Sequence, residues 1–226
     1  MGGGQLFRER FSEESAKQHA HLRHPAYPMP DSARVDRETA REILGVEQDV
    51  TMFLMSGMLR RYKNIPGAVQ AFHGLRDPDS RLVIAGWIAS DELEREIVAA
   101  IGDDARVSTR FEYLDDQDLH TLIQASDLAL LPYNSFLNSG VLMRSLSLAR
   151  PVLAPLTPVT REISAEVGSG WVETYSTTLN ADVLARGTEW IERREPDDNE
   201  PDLSRYDWEG FAQGLTSAYR QVMDSS

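Results

Sequence analysis

The chain of 226 residues contains no cysteine, which excludes a disulfide framework, a thiolate metal site and a cysteine nucleophile. It has no apolar run near the roughly 20 residues that a membrane-spanning helix needs, and its first residues lack the apolar core of a signal peptide. We therefore expect a soluble, cytoplasmic protein with no transmembrane segment. The length is sufficient for a full hydrophobic core in one large or two small domains.

Positive charge is scarce, because 23 lysines and arginines stand against 36 aspartates and glutamates, for a formal net charge of −13. Such a chain lacks the basic face that a nucleic-acid backbone needs, so we expect no nucleic-acid partner. Against this acidic background Arg60, Arg61 and Lys63 stand close together. The cluster indicates a small anionic ligand held in one place, although three solvated surface charges would give the same pattern.

Several motifs of well-known enzyme classes are absent. The sequence has no Gly-x-Gly-x-x-Gly dinucleotide fingerprint and no Gly-x4-Gly-Lys-Ser/Thr phosphate loop. It also lacks the Gly-x-Ser-x-Gly elbow of the serine hydrolases. His21 and His24 are three residues apart, but no carboxylate stands at ligand spacing beside them. We therefore predict no metal site and no hydrolase triad.

From Thr51 onward, short apolar runs alternate with segments of helical period. Strands are predicted over residues 51–56, 81–86, 105–113, 127–132, 151–154 and 170–174. Because each apolar strand is followed by a helix, the pattern indicates a parallel sheet covered on both faces. The predicted fold class is α/β, a Rossmann-like sheet of about six strands. Residues 24–226 would form this domain, and residues 1–23 an N-terminal arm, a linker or a cloning remnant.

The stretch from Asp127 to Ala149 joins a buried strand to a helix that opens on Asn138, Ser139 and Gly140. These are helix-capping residues, and the unpaired N–H groups of a helix N-terminus attract phosphate. An ordinary helix beginning would have the same residue types, so this stretch alone leaves both interpretations open.

The predicted topology favours the phosphate interpretation. In a parallel sheet the loops that follow the strands meet at one edge, where ligands bind. We therefore expect Gly57, Gly86 and the loop 132–140 to lie at the edge that carries Arg60 and Lys63. Two features that attract anions would then belong to one site for a phosphate-bearing ligand.

Several short motifs occur in a characteristic order: Ser-Gly57-x-x-Arg-x-Tyr-Lys63-Asn, Arg-Leu-Val-Ile-Ala-Gly86, Ser126-Asp-Leu-Ala-Leu-Leu-Pro-Tyr133, Leu-Asn-Ser-Gly140, Ala149-Arg-Pro-Val152 and Thr160-Arg-Glu162. Together with His24-Pro-Ala-Tyr27, this order resembles the C-terminal domain of GT-B-fold glycosyltransferases. The likeness is to the bacterial group of retaining, nucleotide-sugar-dependent enzymes, and it covers roughly residues 24–223.

The resemblance implies a domain that binds a UDP-, GDP- or other nucleotide-diphosphate sugar without a metal or a further cofactor. In that family an arginine and a lysine after the first strand contact the diphosphate, which makes Arg60 and Lys63 the catalytic candidates because they stabilise charge on the leaving group. Helix-start amides hold the distal phosphate, and the segment after the third strand contacts the base. The implied donor-binding residues are Gly57, Gly86, Glu112, Tyr113, Leu114, Tyr133, Asn138, Ser139, Gly140, Val141 and Arg144.

The sequence departs from the family pattern in two respects. Many relatives carry a Glu-x7-Glu pair whose second member binds the ribose, whereas the corresponding positions here hold Phe136 and Arg144. A subgroup with the pattern Tyr…Ser-Gly…Arg-Pro-Val also lacks the pair, and the chain resembles that subgroup. In addition, the resemblance covers only the donor-binding domain, so we expect the N-terminal acceptor-binding domain of the family to be missing. We therefore expect a chain that is inactive alone and needs that domain or a partner chain, with self-association as a further expectation.

Two functions remain open from the sequence. The first is the donor-binding half of a glycosyltransferase that transfers a hexosyl group to a saccharide or lipid-linked acceptor, as in polysaccharide biosynthesis. The alternative is a non-catalytic nucleotide-sugar-binding or assembly module that works with a partner chain. A sugar-nucleotide epimerase of the same fold would carry additional carboxylates and histidines in the cleft, which the sequence does not show.

Overall fold

A central six-stranded sheet organises the computed structural model, which describes residues 22–135, 138–195 and 200–224. Its strands are β1 (Thr51–Ser56), β2 (Ser80–Ala85), β3 (Val107–Arg110), β4 (Leu128–Leu130), β5 (Val152–Pro155) and β6 (Val172–Tyr175). The strands are parallel and follow the order β3-β2-β1-β4-β5-β6. The predicted α/β Rossmann-like fold is confirmed, while residues 1–21 of the predicted arm lie outside the described residues.

Helices connect the strands and complete the chain. They are α1 (Arg37–Leu44), α2 (Ile65–His73), α3 (Asp91–Ile101), α4 (Asp116–Ala125), α5 (Gly140–Ser147), α6 (Pro158–Glu166), α7 (Ala181–Arg193) and α8 (Trp208–Asp224). Several of them begin after a residue whose side chain accepts a hydrogen bond from the backbone three positions on, which satisfies an unpaired N–H group. These caps are Asp36, Ser90, Asp115, Ser139, Thr157 and Asn180. Within the described parts of the chain, no helix is long and apolar enough to span a bilayer.

Both faces of the sheet are buried. Phe53 and Met55 of β1 pack on one face with the apolar residues of α2, α3 and α7. Met52 and Leu54 of the same strand pack on the opposite face, against α1 and α4. Because side chains alternate across a strand, four consecutive apolar residues supply two cores. The helices α5 and α6 complete the second face over β4 and β5.

The third strand is shorter than the sequence predicted. We expected a strand over residues 105–113, but β3 ends at Arg110, which pairs with Ala85 at the end of β2. Gly86 then turns away with a φ of 144°, so β3 has no strand beside it to pair with after Arg110. Glu112 and Tyr113 are exposed in the loop that follows.

The strand order creates a crevice at one edge of the sheet. The chain runs from β1 outward to β2 and β3, and it continues on the other side of β1 with β4. Loops after β1 and β4 therefore leave in opposite directions along the edge and open a space between them. In open α/β sheets, ligands bind outside the carboxyl ends of the strands at such a switch point.

Candidate functional site

A pocket of about 290 Å³ lies at this edge, beside the end of β1 and the beginning of α5. Its lining brings together five of the predicted site residues: Arg60, Lys63, Gly140, Val141 and Arg144. The other lining residues are Tyr27, Ser56, Met58, Tyr62, Leu119 and Ile123. The two anion-attracting features that were predicted from separate parts of the sequence thus line one pocket.

Two glycines allow the loops to approach each other at the pocket wall. Gly57 has a φ of 80° and Gly86 a φ of 144°, a region that residues with a Cβ rarely adopt. A Cβ on Gly57 would lie 3.1 Å from Val141 Cγ2 and 3.5 Å from Lys63 Nζ. A Cβ on Gly86 would overlap the carbonyl group of Gly57. Gly57 therefore lies against the pocket residues, whereas Gly86 supports the Gly57 backbone from behind.

Lys63 is a buried cation, with only 4% of its surface exposed. Its Nζ donates a hydrogen bond to the carbonyl oxygen of Ser56 at 2.7 Å. Burial, together with the nearby charge of Arg60, lowers the pKa of Lys63 to about 8. Within the described residues Lys63 pairs with no carboxylate, so none of these residues neutralises its charge. The Ser56 hydroxyl beside it is also buried without a hydrogen-bond partner in this part of the chain.

The side chains of Arg60 and Arg61, neighbours in the basic cluster, point in different directions. Arg61 forms ion pairs with Glu92 at 2.9 Å and with Glu96 at 2.8 Å on α3. Arg60 instead lines the pocket, where its Nε lies 2.9 Å from Met58 Sδ. A 3₁₀ turn over Arg61–Lys63 causes this division. Among the residues that the structure describes, Arg60 has no carboxylate partner.

The N-terminus of α5 forms the opposite wall of the pocket. Ser139 caps the helix, since its Oγ accepts a hydrogen bond from the amide of Leu142 at 3.1 Å. The amides of Gly140 and Val141 have no acceptor within the described ranges. Two unpaired N–H groups and the positive end of the helix dipole therefore face the side that carries Arg60 and Lys63.

Arg144 lies on the next turn of α5 and borders the pocket. Its guanidinium carbon is 4.3 Å from the centre of the Tyr27 ring, and it donates a hydrogen bond to Asp116. This hydrogen bond lowers the pKa of Asp116. The pKa of His120, which lies 3.4 Å from the same guanidinium, is lowered by its burial and by the Arg144 charge. Arg144 is thus held by contacts inside the protein.

Tyr133 lies behind Lys63 rather than on the pocket surface. It is 6% exposed, and the centre of its ring is 5.7 Å from Lys63 Nζ and 5.3 Å from the ring of Tyr62. Burial raises the pKa of the Tyr133 hydroxyl, which also makes a hydrogen bond with Ser139. Tyr133 therefore supports the lysine and the helix cap at the same time.

Several predicted donor-binding residues do not line this pocket. Glu112 forms an ion pair with Arg110, Tyr113 is 81% exposed, and Leu114 packs against the core beside α4. Asn138 and Ser139 line a separate cavity of about 30 Å³. The expected contact of this segment with a base stays a prediction, as does the donor contact of Asn138. Phe136 lies outside the described residues.

A family model described as glycosyl transferases group 1 matches residues 36–205 of the chain. The chain belongs to this family. Over 181 residues it is 34% identical to the GDP-mannose:glycolipid 4-beta-D-mannosyltransferase of Xanthomonas campestris pv. campestris. That match covers 79% of this chain and 52% of the relative, so the chain spans about half the length of the curated relative.

Solved glycosyltransferase structures share the fold of this group 1 family member. Sucrose-phosphate synthase from Thermosynechococcus elongatus gives a TM-score of 0.63 at 18% identity, covering 86% of this chain and 51% of that chain. A glycosyltransferase from Rickettsia africae ESF-5 gives a TM-score of 0.63 at 14% identity, covering 90% of this chain and 57% of that chain. At such identities the likeness concerns the fold alone.

Sequence reasoning missed three polar members of this pocket, Ser56, Tyr62 and Tyr27. The His24-Pro-Ala-Tyr27 segment belongs to the motifs that carry the family resemblance, but the sequence analysis gave its tyrosine no role in the site. Nothing local predicts that Tyr27 lies over the first turn of a helix that begins at Gly140. The described residues contain no group of three or more potential metal ligands, and the metal-independence of the site stays a prediction.

Proposed function

We propose that this chain is the donor-binding half of a glycosyltransferase that transfers a hexosyl group from a nucleotide-diphosphate sugar. The observation that carries the proposal is the convergence of Arg60, Lys63 and the amides at the start of α5 on one pocket. In a chain with a net charge of −13, two pocket cations that lack carboxylate partners among the described residues favour an anionic ligand.

The same groups suit the chemistry of glycosyl transfer. When the bond between the sugar and the diphosphate breaks, negative charge accumulates on the leaving diphosphate. Fixed positive side chains and N–H donors stabilise that charge, and their effect is stronger in a site that excludes water. Lys63 is desolvated before the ligand arrives, so it needs little reorganisation to meet this charge. Arg60 is exposed and can close over the diphosphate from the solvent side.

The first donor to test is GDP-mannose, because the name of the mannosyltransferase relative gives it as that enzyme's donor. The same name gives a glycolipid as the acceptor class. The residues that line the pocket do not distinguish guanine from other bases, so UDP- and ADP-linked sugars belong in the same panel. Acceptor binding would be supplied by a further domain or by a partner chain.

Calorimetric titration with GDP-mannose, GDP, UDP and ADP tests the proposal. We expect at least one of these ligands to bind, and Arg60→Ala and Lys63→Ala each to weaken binding by at least tenfold, as expected for lost hydrogen bonds to a charged group. Arg61→Ala is the matched control, because Arg61 pairs with α3, and its affinity should stay within twofold. A folded wild-type protein that binds none of the four at millimolar concentration would refute the proposal.

The second candidate is a non-catalytic binding or assembly module. It is favoured by the exposed aromatic residues of α8, Trp208 at 52% and Tyr219 at 66%, which offer a surface for another chain. For such a module, Arg60→Ala combined with Lys63→Ala would leave function intact, whereas substitutions on α8 would abolish it. The donor-binding proposal requires the opposite result for the pocket variants.

A further inference from the structure

The extended segment that contains Tyr27 is fastened to α5. The amide of Tyr27 donates a hydrogen bond to Ser147 Oγ at 3.0 Å, and this hydroxyl in turn donates to the Met143 carbonyl at 2.8 Å. One residue earlier, the amide of Ala26 donates to the Tyr206 carbonyl at 2.6 Å. The backbone on which Tyr27 stands is thus held in place over the helix.

The ring of Tyr27 is held as well. Arg144 lies over its face at 4.3 Å, and His24 lies beside it with 5.8 Å between ring centres. Because both the backbone of Tyr27 and the face of its ring are held, the hydroxyl points to one place. The hydroxyl then needs little loss of conformational freedom to bind a ligand.

The Tyr27 hydroxyl reaches the first turn of α5. It lies 2.8 Å from the point that a Cβ on Gly140 would occupy, and Tyr27 lines the same pocket as Arg60 and Lys63. Among the described residues the hydroxyl has no hydrogen-bond partner. A phenolic O–H is a hydrogen-bond donor, and here it stands beside the unpaired amides of Gly140 and Val141.

We propose that Tyr27 is a further ligand-binding residue of this pocket, whose hydroxyl donates a hydrogen bond to a phosphate oxygen of the donor. The inference rests on the proposed donor-binding function. It adds a group from the extended segment that contains Tyr27 to the cations of the β1 loop and the amides of α5. It also gives Gly140 a second role, because any larger residue there would displace the hydroxyl.

Tyr27→Phe tests the proposal most directly, because it removes the hydroxyl and keeps the ring that stacks on Arg144. In calorimetric titrations we expect GDP and GDP-mannose to bind Tyr27→Phe about tenfold more weakly than the wild type, as for a hydrogen bond to a charged acceptor. Tyr219→Phe is the control, since Tyr219 is exposed on α8, and its affinity should be unchanged. Gly140→Ala should give a loss at least as large as Tyr27→Phe.

An affinity of Tyr27→Phe for GDP within twofold of the wild type overturns the inference, while the donor-binding proposal stands on the wild-type titration. If the wild type binds neither ligand, both fail. The wild-type protein gives an independent measurement that does not depend on the folding of a variant. The NMR signal of Tyr27 Cζ should shift when GDP is added, and that of Tyr219 should not; an unmoved Tyr27 signal overturns the inference.

Discussion

Lys63 combines burial with a charge that the described protein groups do not neutralise. Its environment lowers its pKa from 10.5 to about 8, so the charged form is destabilised in the folded protein. An unfolded chain keeps the proton up to a higher pH, and folding stability therefore rises with pH between about 8 and 10.5. Below pH 8 both states are charged and the destabilisation is constant. A bound phosphate would raise the pKa of Lys63 again, because it favours the charged lysine.

We predict that Lys63 titrates near pH 8 in the free protein and well above it in the GDP complex. Lys17 and Lys63 are the only lysines in the sequence, so lysine-labelled NMR can follow each Nζ separately. By linkage, GDP affinity should fall by up to about tenfold for each pH unit above 8, until the pH passes the pKa of the complex. In Lys63→Met this part of the pH dependence should vanish. An affinity that is flat from pH 7 to 10 in the wild type would contradict the prediction.

Which cations line the pocket could be predicted only in part from the sequence. The spacing of Arg60 and Lys63 was recognised through a family resemblance, and the structure brings both to the pocket. Arg61 stands between these two residues in the sequence, but it forms ion pairs with α3. The sequence alone did not predict those ion pairs. They depend on a 3₁₀ turn and on the position of a helix some 30 residues later. Tyr27 was missed because its contact with Gly140 joins distant parts of the chain.

At the scale of elements, a buried ion-pair network joins α1 to the amino ends of β1 and β4. Arg41 is fully buried, and it donates to Asp127 Oδ2 at 2.6 Å and to the carbonyls of Ala125 and Val50, both at 2.9 Å. The same carboxylate oxygen accepts a hydrogen bond from the amide of Met52 at 2.7 Å. Burial lowers the pKa of Arg41, and the surrounding acceptors offset the desolvation of its charge.

We predict that Arg41→Ala lowers the free energy of unfolding by about 3–5 kcal/mol, because it removes the buried guanidinium that pairs with Asp127 and with the carbonyls of Ala125 and Val50. Arg37→Ala serves as the comparison, since Arg37 donates to the same carboxylate but is 35% exposed. It should cost about 1 kcal/mol. Urea denaturation at pH 7 measures both variants. Equal losses for the two variants would show that burial does not set the strength of this network.

The packing of Gly86 against Gly57 supports the pocket from behind, and it gives a prediction for the loops at this edge of the sheet. Gly86→Ala places a Cβ against the Gly57 carbonyl at an unfavourable φ. We expect a loss of stability of about 3 kcal/mol or more from strain and overlap together. Gly102→Ala has a positive φ but open space around its Cβ, so it should cost only about 1 kcal/mol. GDP affinity should fall in Gly86→Ala and stay unchanged in Gly102→Ala.

Most element boundaries followed from local patterns. Strand β1 has the predicted limits, because a short apolar run is a strong local signal. The predicted end of β3 was wrong because the strand stops where its neighbour β2 stops. A strand ends when its neighbour turns away. Such strand ends are set by pairing between strands that are distant in the sequence, so a local stretch of sequence does not predict them.

For the whole molecule, the alternation of strands and helices predicted the fold class but not the strand order. The order matters because it places β1 beside β4, and this adjacency brings the β1 loop and the start of α5 to one crevice. Each feature alone was compatible with an ordinary surface loop or helix cap. Their combination in one pocket gives the site its chemistry.

The last prediction concerns catalysis by the proposed donor-binding half on its own. If the proposal is right, we expect residues 1–226 alone to bind a nucleotide sugar without transferring the sugar. Holding both reactants in register can supply about 7–11 kcal/mol of the barrier, and donor binding alone provides only one side of that arrangement. Incubation with radiolabelled GDP-mannose and a glycolipid acceptor should therefore give no labelled glycolipid at donor concentrations that saturate the pocket.

Adding an acceptor-binding half, fused to the chain or supplied as a partner chain, should restore transfer. Lys63→Ala in the restored enzyme should then lower kcat by at least tenfold, because the lysine acts on charge that develops in the transition state. Efficient transfer by the chain alone would contradict the division into halves.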